Sequence, residues 1–256
     1  MADLVRYAED RGIATVTLDS PENRNALSTA LVGQLAVALE RAFAVETVRA
    51  IVLTGSGSVF CSGADLREQL AANEAAGPGG GGLPAIIRMI RSGPKPVVAR
   101  VNGHARAGGI GLIAAADIAI APETATFAFS EVRIGVVPAI IAVPIMERVG
   151  RTAASDLFLT GRQFDGTTAA SIGLIARAVP AEELDGAVEE CVGALRLASP
   201  AALAACKELI RTVPAMTFEE ALDWAAAFSA RLFQGEDARE GMAAFLEKRK
   251  PRWQAE

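Results

Sequence analysis

The segment VVARVNGHARAGGIGLIAAAD, residues 97–117, decides our interpretation of the fold because it combines buried strands with a short glycine-rich helix. Its first residues are apolar and β-branched, and they predict a buried strand over residues 96–102. The run 107–116 is small and apolar and predicts a short buried helix, after which residues 117–121 predict another buried strand. Gly108 and Gly109 lie at the start of this helix, where free N–H groups can hold a negative charge.

The same segment also matches a dinucleotide-binding pattern, because Gly109, Gly111 and Ala114 have the spacing G-x-G-x-x-A. In that fold the glycines open a full crossover helix after the first strand. Only residues 108–116 are available here before the next predicted strand, which is too short for such a crossover. We therefore disfavour a nicotinamide cofactor.

A second glycine turn, Cys61-Ser62-Gly63-Ala64-Asp65-Leu66, has the same character. It lies where a predicted strand ends and an apolar-periodic segment begins. Two such turns could converge on one polarised oxygen, because glycine allows close backbone approach to a ligand.

Strand and helix patterns recur on both sides of these turns. The other predicted segments are strands over residues 12–18, 50–54, 59–62 and 126–129, helices over residues 27–43 and 152–159, and a proline-interrupted apolar run over residues 134–146. Leu27, Leu31, Leu35 and Leu39 form a core-facing stripe in the first helix. We predict an α/β fold of stacked strand-strand-helix units rather than one doubly wound sheet.

Two regions differ from this repeated strand-strand-helix pattern. Residues 71–83 include the run PGGGG, residues 78–82, and predict a mobile loop because the glycines cannot hold a fixed element alone. From residue 181 onward the composition becomes helical, with amphipathic stretches over residues 184–197, 200–211 and 218–233. Ser199 and Pro200 are typical of a helix N-cap and first helical position.

Composition and charge exclude several classes of function. A net charge of -5 and a pI near 5.2 argue against nucleic-acid binding. The three cysteines lack a C-x-x-C pair, and one histidine, His104, cannot form a multi-histidine metal site. We expect no membrane span and no signal peptide, and a cytoplasmic location. Carboxylates and backbone dipoles remain as catalytic groups.

The order of the motifs resembles the crotonase (enoyl-CoA hydratase/isomerase) superfamily over essentially the whole chain. The matching motifs are Pro21-x-x-x-Asn25-Ala26-Leu27, Phe60-Cys61-Ser62-Gly63-Ala64-Asp65-Leu66, Val101-Asn102-Gly103 through Gly108-Gly109 to Ala116-Asp117-Ile118, Phe127-x-x-x-Glu131-Val132-x-x-Gly135-x-x-Pro138, Leu159-Thr160-Gly161-Arg162, Gly173-Leu174-Ile175, and Arg239-Glu240-Gly241-x-x-Ala244-Phe245-Leu246-Glu247-Lys248-Arg249. The resemblance implies a crotonase-like spiral of repeated ββα units over residues 1–195, with the acyl-CoA site. It also implies a C-terminal helical region, residues 196–256, that forms homotrimers able to pair into hexamers.

The resemblance further implies that the backbone N–H groups of Ala64 and Gly108 form an oxyanion hole for a thioester carbonyl. One preorganised donor of this kind can contribute about 3 kcal/mol to an enolate-like transition state. Coenzyme A is implied as part of the acyl-CoA thioester substrate, with no permanently bound cofactor and no metal. The implied CoA contacts are Arg24, Gly63, Asp65 and Leu66, with Phe245 and Lys248 from a neighbouring subunit.

The number of carboxylates distinguishes the possible reactions. In hydratases of this superfamily two glutamates hold one water, and the resemblance places them at Gly111 and Glu131, so only Glu131 is present. Apolar neighbours on both sides could raise the pKa of Glu131 and make it an effective acid/base. Gly111 favours the isomerase alternative, whereas residues 131–138 look more like bacterial hydratases of branched enoyl-CoA.

Two further side chains invite functional hypotheses. Arg106 departs from the small or apolar residue usual at its position; it is either a surface arginine or a partner for a substrate carboxylate, as 3-methylglutaconyl-CoA would offer. Cys61 could be a nucleophile, but no histidine is near in sequence, so we interpret it as a packing residue.

We therefore expect an enoyl-CoA hydratase that adds water to a 2-enoyl-CoA through an oxyanion-stabilised enolate, with Glu131 as acid/base. A Δ3,Δ2-enoyl-CoA isomerase, a branched or acidic enoyl-CoA hydratase and a non-catalytic acyl-CoA-binding oligomer stay open as alternatives.

Overall fold

The chain winds repeatedly between two β-sheets in a computed structural model that describes residues 2–74 and 82–254. The strands are β1 (Val5–Asp10), β2 (Ile13–Leu18), β3 (Ala50–Gly55), β4 (Val59–Cys61), β5 (Val97–Arg100), β6 (His104–Arg106), β7 (Ile118–Pro122), β8 (Thr126–Ala128), β9 (Gln163–Asp165) and β10 (Arg177–Val179). The helices are α1 (Thr29–Ala44), α2 (Leu66–Glu74), α3 (Leu83–Ser92), α4 (Gly108–Ala115), α5 (Ala139–Met146), α6 (Arg151–Thr160), α7 (Gly166–Ser171), α8 (Leu184–Leu197), α9 (Pro200–Thr212), α10 (Phe218–Phe233) and α11 (Glu236–Leu246).

The two sheets explain the recurring pattern of the sequence. One has the strand order β1-β2-β3-β5-β7-β10 and the other β4-β6-β8-β9. Successive pairs β3/β4, β5/β6 and β7/β8 each place one strand in each sheet, so every turn of the chain extends both. The prediction of stacked strand-strand-helix units is confirmed.

Strand β1 is absent from the sequence predictions. It pairs antiparallel with β2 at the edge of the larger sheet, with Val5 opposite Leu18. Most of its residues are exposed. Its charged side chains hide the apolar pattern by which buried strands are recognised.

Helix α1 covers one face of the larger sheet with Leu31, Leu35 and Leu39, all fully buried. The prediction that Leu27 belongs to this helix is wrong: α1 begins at Thr29, and the Ser28 hydroxyl caps it by accepting a hydrogen bond from the Leu31 N–H. Leu27 instead pairs with Ala64 in a short parallel bridge.

The apolar run 134–146 is not one continuous element. A 3-10 turn, Ser130–Ile134, comes first, and α5 begins after Pro138. Glu131 thus lies within a turn. Proline lacks the N–H that would continue a ladder or helix, which separates the two elements.

The predicted loop over residues 71–83 is replaced at both ends by helix. Helix α2 extends to Glu74, and α3 starts at Leu83. The middle of that prediction, residues 75–81, lies outside the described residues. The predicted loop is therefore too long at both ends, where residues 71–74 and Leu83 are helical.

The C-terminal helices follow the predicted pattern, with α8, α9 and α10 at the expected places and α11 in addition. The Ser199 hydroxyl caps α9 by accepting from the Ala202 N–H at 3.0 Å. Residue 195 lies within α8, whose Leu184, Val188 and Val192 pack against the larger sheet. The division into two domains at that residue stays a prediction.

Helix α9 is tied to the core by a buried side chain. The Lys207 ammonium donates hydrogen bonds to the carbonyl oxygens of Ile90 and Lys95, at 3.1 and 3.0 Å, and to the carboxylate of Asp117. Asp117 also accepts from the Val97 N–H at 2.7 Å. Burial lowers the pKa of Lys207, and the Asp117 charge opposes that shift.

None of the helices in the described ranges combines the length and the apolar character needed to cross a bilayer.

Candidate active site

The segments that follow three parallel strands of the smaller sheet meet at one edge. Ala105 of β6 pairs with Cys61 of β4 on one side and with Phe127 of β8 on the other. Because all three strands run in the same direction, their carboxyl ends lie together, which is where open α/β sheets commonly bind ligands. The residues after these ends are 62–65, 107–109 and 129–131.

The two glycine turns are in direct contact. A Cβ atom placed on Gly63 would lie 2.7 Å from the Cβ of Ala107 and 3.3 Å from the backbone nitrogen of Gly108. Gly63 also has a φ of +91°, a conformation that residues with a side chain rarely adopt. The structure thus brings together the two turns that the sequence predicts to converge.

The bridge between Leu27 and Ala64 orients the first of the two predicted donors. The Leu27 N–H donates to the Gly63 carbonyl at 2.7 Å, and the Leu27 carbonyl accepts from the Asp65 N–H at 3.5 Å. In a parallel bridge this pattern leaves the N–H of Ala64 directed away from Leu27. Across residues 2–74 and 82–254, neither the Ala64 nor the Gly108 N–H has a hydrogen-bond acceptor.

Ala107 holds a strained conformation just before Gly108. Its φ of 46° and ψ of -120° are unusual for a residue with a Cβ, and such strain costs on the order of 1–3 kcal/mol. It turns the chain from β6 into α4, so that Gly108 is the first residue of that helix. The partial positive charge of the helix N-terminus therefore adds to that of the free N–H.

Glu131 follows the third strand, β8, and is half-buried. Its Oε2 atom is buried and has no hydrogen-bond partner among the described residues. Burial raises the pKa of this carboxyl above its ordinary value. A carboxylate with a raised pKa and a free oxygen is suited to proton transfer.

Gly111 lies on the first turn of α4 and is fully enclosed. A Cβ atom placed on it would overlap Cγ2 of Ile141 and lie 3.0 Å from Cβ of Ile141. Ile141, on α5, is only 3% exposed. The space that a side chain at position 111 would enter is therefore filled by Ile141, a residue that the sequence reasoning did not single out.

The implied CoA contacts around the first turn lie close together. The Arg24 carbonyl accepts from the Ser62 N–H at 3.0 Å, which places exposed Arg24 beside the turn that contains Gly63. Asp65 caps α2, since its Oδ1 accepts from the Arg67 and Glu68 N–H groups at 3.0 and 3.4 Å. Leu66 is exposed.

Phe245 and Lys248 belong to the other end of the chain. Phe245 is 83% exposed on α11, and Lys248 follows that helix with a φ of 55°. Their assignment to the CoA site of a neighbouring subunit stays a prediction.

Arg106 has partners within the chain. Its guanidinium donates to the Ala105 carbonyl, the Thr126 carbonyl and hydroxyl, and the Gln163 amide oxygen, at 2.8, 2.6, 2.9 and 3.0 Å. These bonds direct it across β8 and β9, whereas Ala107, the next residue, faces Gly63. The geometry supports a role in holding the smaller sheet together; pairing with a substrate carboxylate stays a prediction.

Cys61 is fully buried, and burial raises the pKa of its thiol to about 12. Its sulfur accepts a hydrogen bond from the Gly63 N–H at 3.4 Å. Both facts agree with the interpretation of Cys61 as a packing residue, because a thiol with a high pKa is a poor nucleophile. Among the residues that the structure covers, no cluster of histidine, cysteine, aspartate or glutamate has the arrangement of a metal site.

Comparison with known proteins identifies the fold. The structure of Pseudomonas aeruginosa AtuE superposes with a TM-score of 0.91 at 34% identity, covering 99% of this chain and 100% of that one. The crystal structure of an enoyl-CoA hydratase from Mycobacterium smegmatis superposes with a TM-score of 0.89 at 34% identity, with the same coverage. The chain is thus a crotonase-fold protein.

The amino-acid sequence gives the narrower assignment. The family model described as enoyl-CoA hydratase/isomerase matches residues 8–256. Enoyl-CoA hydratase EchA19 of Mycobacterium tuberculosis is 33% identical over 244 residues, which cover 93% of this chain and 92% of that protein. A relative from Thermus thermophilus is 38% identical over 250 residues, 94% of this chain and 97% of its own. The chain belongs to the enoyl-CoA hydratase/isomerase family and is a hydratase or a related isomerase.

Proposed function

We propose that this protein is an enoyl-CoA hydratase in which Glu131 is the single acid/base carboxylate. The observation that carries the proposal is the position of Glu131. Glu131 follows β8 at the sheet edge where Ala64 and Gly108 follow β4 and β6. Among the residues that the structure describes, its buried Oε2 atom has no hydrogen-bond partner, and the N–H groups of Ala64 and Gly108 have no acceptor. The relatives named as enoyl-CoA hydratases support the same reaction.

The proposed reaction uses these groups in one sequence. The N–H groups of Ala64 and Gly108 bind the thioester oxygen of a 2-enoyl-CoA. The Glu131 carboxylate takes a proton from water as the water oxygen bonds to C3 of the substrate. The electron pair of the double bond moves toward the thioester oxygen, which forms an enolate. The resulting carboxylic acid then gives its proton to C2 as the enolate collapses, which restores the carboxylate.

The surroundings of Gly108 favour a neutral acyl group. A Cβ atom placed on Gly108 would lie 2.8 Å from Cδ1 of Leu27 and 3.3 Å from Cδ2 of Leu83. These leucine side chains, with Ile141 beside Gly111, give the site apolar walls. Since the Arg106 guanidinium is held by Thr126 and Gln163, we propose a neutral rather than an acidic enoyl-CoA as substrate.

A Δ3,Δ2-enoyl-CoA isomerase is the second candidate. The packing of Ile141 against Gly111 favours it, because Ile141 fills the space that a carboxylate side chain at position 111 would enter. One carboxylate is sufficient to move a proton between two carbon atoms. Isomerisation also needs no bound water.

We propose further that Arg24, Gly63, Asp65 and Leu66 contact the CoA part of the substrate, with Phe245 and Lys248 from a neighbouring subunit of a trimer or hexamer. Exposed apolar side chains on the C-terminal helices, including Phe218 and Phe233, support self-association. The cysteines are free thiols, which suits a reducing cytoplasm.

Replacement of Glu131 by glutamine tests the reaction. We expect Glu131→Gln to lower the rate of crotonyl-CoA hydration by a factor of about 10²–10⁴, because the amide cannot accept the proton of water. The measurement is the loss of enone-thioester absorbance, and Glu182→Gln, which changes an exposed carboxylate, serves as matched control.

The outcomes separate the candidates. Full activity of Glu131→Gln would contradict the assigned role of Glu131. Inactivity of the unaltered protein on 2-enoyl-CoA, together with conversion of a 3-enoyl-CoA to its conjugated isomer, would favour the isomerase.

A further inference from the structure

Helix α4 is intrinsically weak, although its first residue carries a proposed donor of the site. It has eight residues, and three of them are glycine. Glycine is among the least favourable residues in a helix, and helices this short are marginal on their own. Contacts from outside the helix must therefore hold α4, and with it the Gly108 N–H, in place.

Arg148 supplies such contacts at the opposite end of α4. It follows α5 and is half-buried. Its Nε atom donates to the Ala114 carbonyl at 2.7 Å, and its Nη2 atom donates to the Ala116 carbonyl. The last carbonyl groups of a helix lack intrahelical partners, and both alanines are fully buried. The guanidinium therefore provides donors where water does not reach, and its charge complements the negative end of the helix.

We infer that Arg148 is a positioning residue for the reaction: by holding the carboxyl end of α4, it keeps the Gly108 N–H at the other end directed at the thioester oxygen. The inference rests on the proposed function, since it takes Gly108 as an oxyanion donor. Arg148 itself is assigned no contact with the substrate.

The strain at Ala107 makes the amino end of α4 depend on the rest of the helix. Ala107 has a φ of 46°, and a conformation of this kind persists only while the surrounding structure imposes it. The Ala107 carbonyl accepts from the Ile110 N–H at 2.9 Å, so the first turn of α4 helps to impose it. When the carboxyl end is released, we expect the short helix to fray, Ala107 to relax and the Gly108 N–H to turn away.

The test uses Arg148→Met and Arg148→Lys, with Arg91→Met as matched control. Arg91 is also a half-buried arginine, but its guanidinium pairs with Glu147 at 2.5 Å and makes no hydrogen bond to α4. Hydration of crotonyl-CoA gives kcat and KM. Infrared spectroscopy gives the carbonyl stretch of butyryl-CoA with an isotope-labelled carbonyl, which can undergo neither hydration nor isomerisation. Thermal unfolding is measured on the same samples.

The expected result is a loss of carbonyl polarisation together with a loss of rate. Arg148→Met lowers kcat about tenfold and reduces the bound-minus-free shift of the carbonyl stretch to about half, because a donor is misaligned. KM changes by less than about twofold, because the charge on the oxygen develops in the transition state. Arg148→Lys gives intermediate values, since an ammonium keeps the charge but not the two-point geometry. Arg91→Met changes neither kcat nor the shift.

The infrared readout separates positioning from a purely structural role. A lower Tm with an unchanged carbonyl shift in Arg148→Met overturns the inference and leaves the proposed function intact. If Arg148→Met does not fold, Arg148→Lys decides, and an unaltered shift there overturns the inference as well. If the unaltered protein binds butyryl-CoA without any shift of its carbonyl stretch, the proposed oxyanion hole is wrong and the inference falls with it.

Discussion

Glu131 combines a proposed chemical role with a cost in stability. Burial raises the pKa of its carboxyl, so the folded protein holds that proton to higher pH than the unfolded chain does. Stability is therefore lost as pH rises from the ordinary carboxyl value, 4.5, through the raised value. Above that window the folded state contains a partly desolvated charge.

We expect Glu131→Gln to be more stable than the unaltered protein at pH 7, because glutamine removes this charge. The difference should shrink as pH falls below 4.5, where the carboxyl is protonated in both states. Urea unfolding at several pH values measures it. A variant that is no more stable at pH 7 would show that burial does not penalise the Glu131 carboxylate.

At this scale the amino-acid sequence predicts some residues and misses others. The motif around Glu131 indicates an acid/base role for this residue, which stays a prediction. Gly111 marks the position at which a second carboxylate is missing. The packing of Ile141 against Gly111 was not predicted, because this contact joins two helices and no local pattern encodes it. The positive φ of Ala107 was also missed, because residues with a Cβ rarely adopt it and no local sequence pattern marks it.

At the scale of elements, short segments hold the site in place. Helix α2 begins at Leu66, two residues after Ala64, so its first turn helps to fix the backbone that offers the Ala64 N–H. The Asn23 amide donates to Asp65 at 3.0 Å and lowers the pKa of that carboxyl. Asp65 therefore has a structural role that is independent of any contact with CoA.

Replacement of Asp65 separates these two roles. We expect Asp65→Ala to lower the free energy of unfolding by about 1 kcal/mol, because the helix loses its cap, whereas Asp65→Asn should retain most of it. Urea unfolding gives the stabilities, and KM for crotonyl-CoA gives the binding role. An Asn variant as unstable as the Ala variant would contradict the capping role.

The element boundaries reveal where sequence patterns are sufficient. Helix α9 was predicted with its cap because Ser199 and Pro200 act locally. The start of α1 was misplaced, because Leu27 continues the leucine stripe in sequence while its backbone pairs with Ala64. Periodicity reports which side chains are buried, and it does not distinguish a helical residue from a bridge.

At the scale of the whole molecule, the winding of the chain creates the site. Ala64, Gly108 and Glu131 follow strands of three successive strand pairs, and they lie at the same edge of the smaller sheet because β4, β6 and β8 are neighbours. The proposed site combines the N–H groups of the first two residues with the carboxyl group of the third. The repeat was visible in the sequence. The division of its strands between two sheets was not predicted, because strand patterns do not state their partners.

The proposed assembly can be tested at the same scale. We expect light scattering to give the mass of a trimer or hexamer, and Phe245→Ser to shift the population toward smaller species, since this 83% exposed ring would lose its apolar partner surface. Val37→Ser is the matched control because Val37 is exposed on α1, far along the chain from the C-terminal helices. A monomer at all concentrations would contradict the assembly.

The link between Lys207 and Asp117 has a consequence for synthesis of the chain. The two residues are 90 positions apart, and Asp117 and the carbonyl groups of Ile90 and Lys95 precede Lys207 in the order of translation. While the ribosome is still making α9, this carboxylate and these carbonyl groups lack their buried cation. This part of the core therefore becomes complete only after α9 has emerged, and chains truncated before Lys207 should leave a buried carboxylate without its cation.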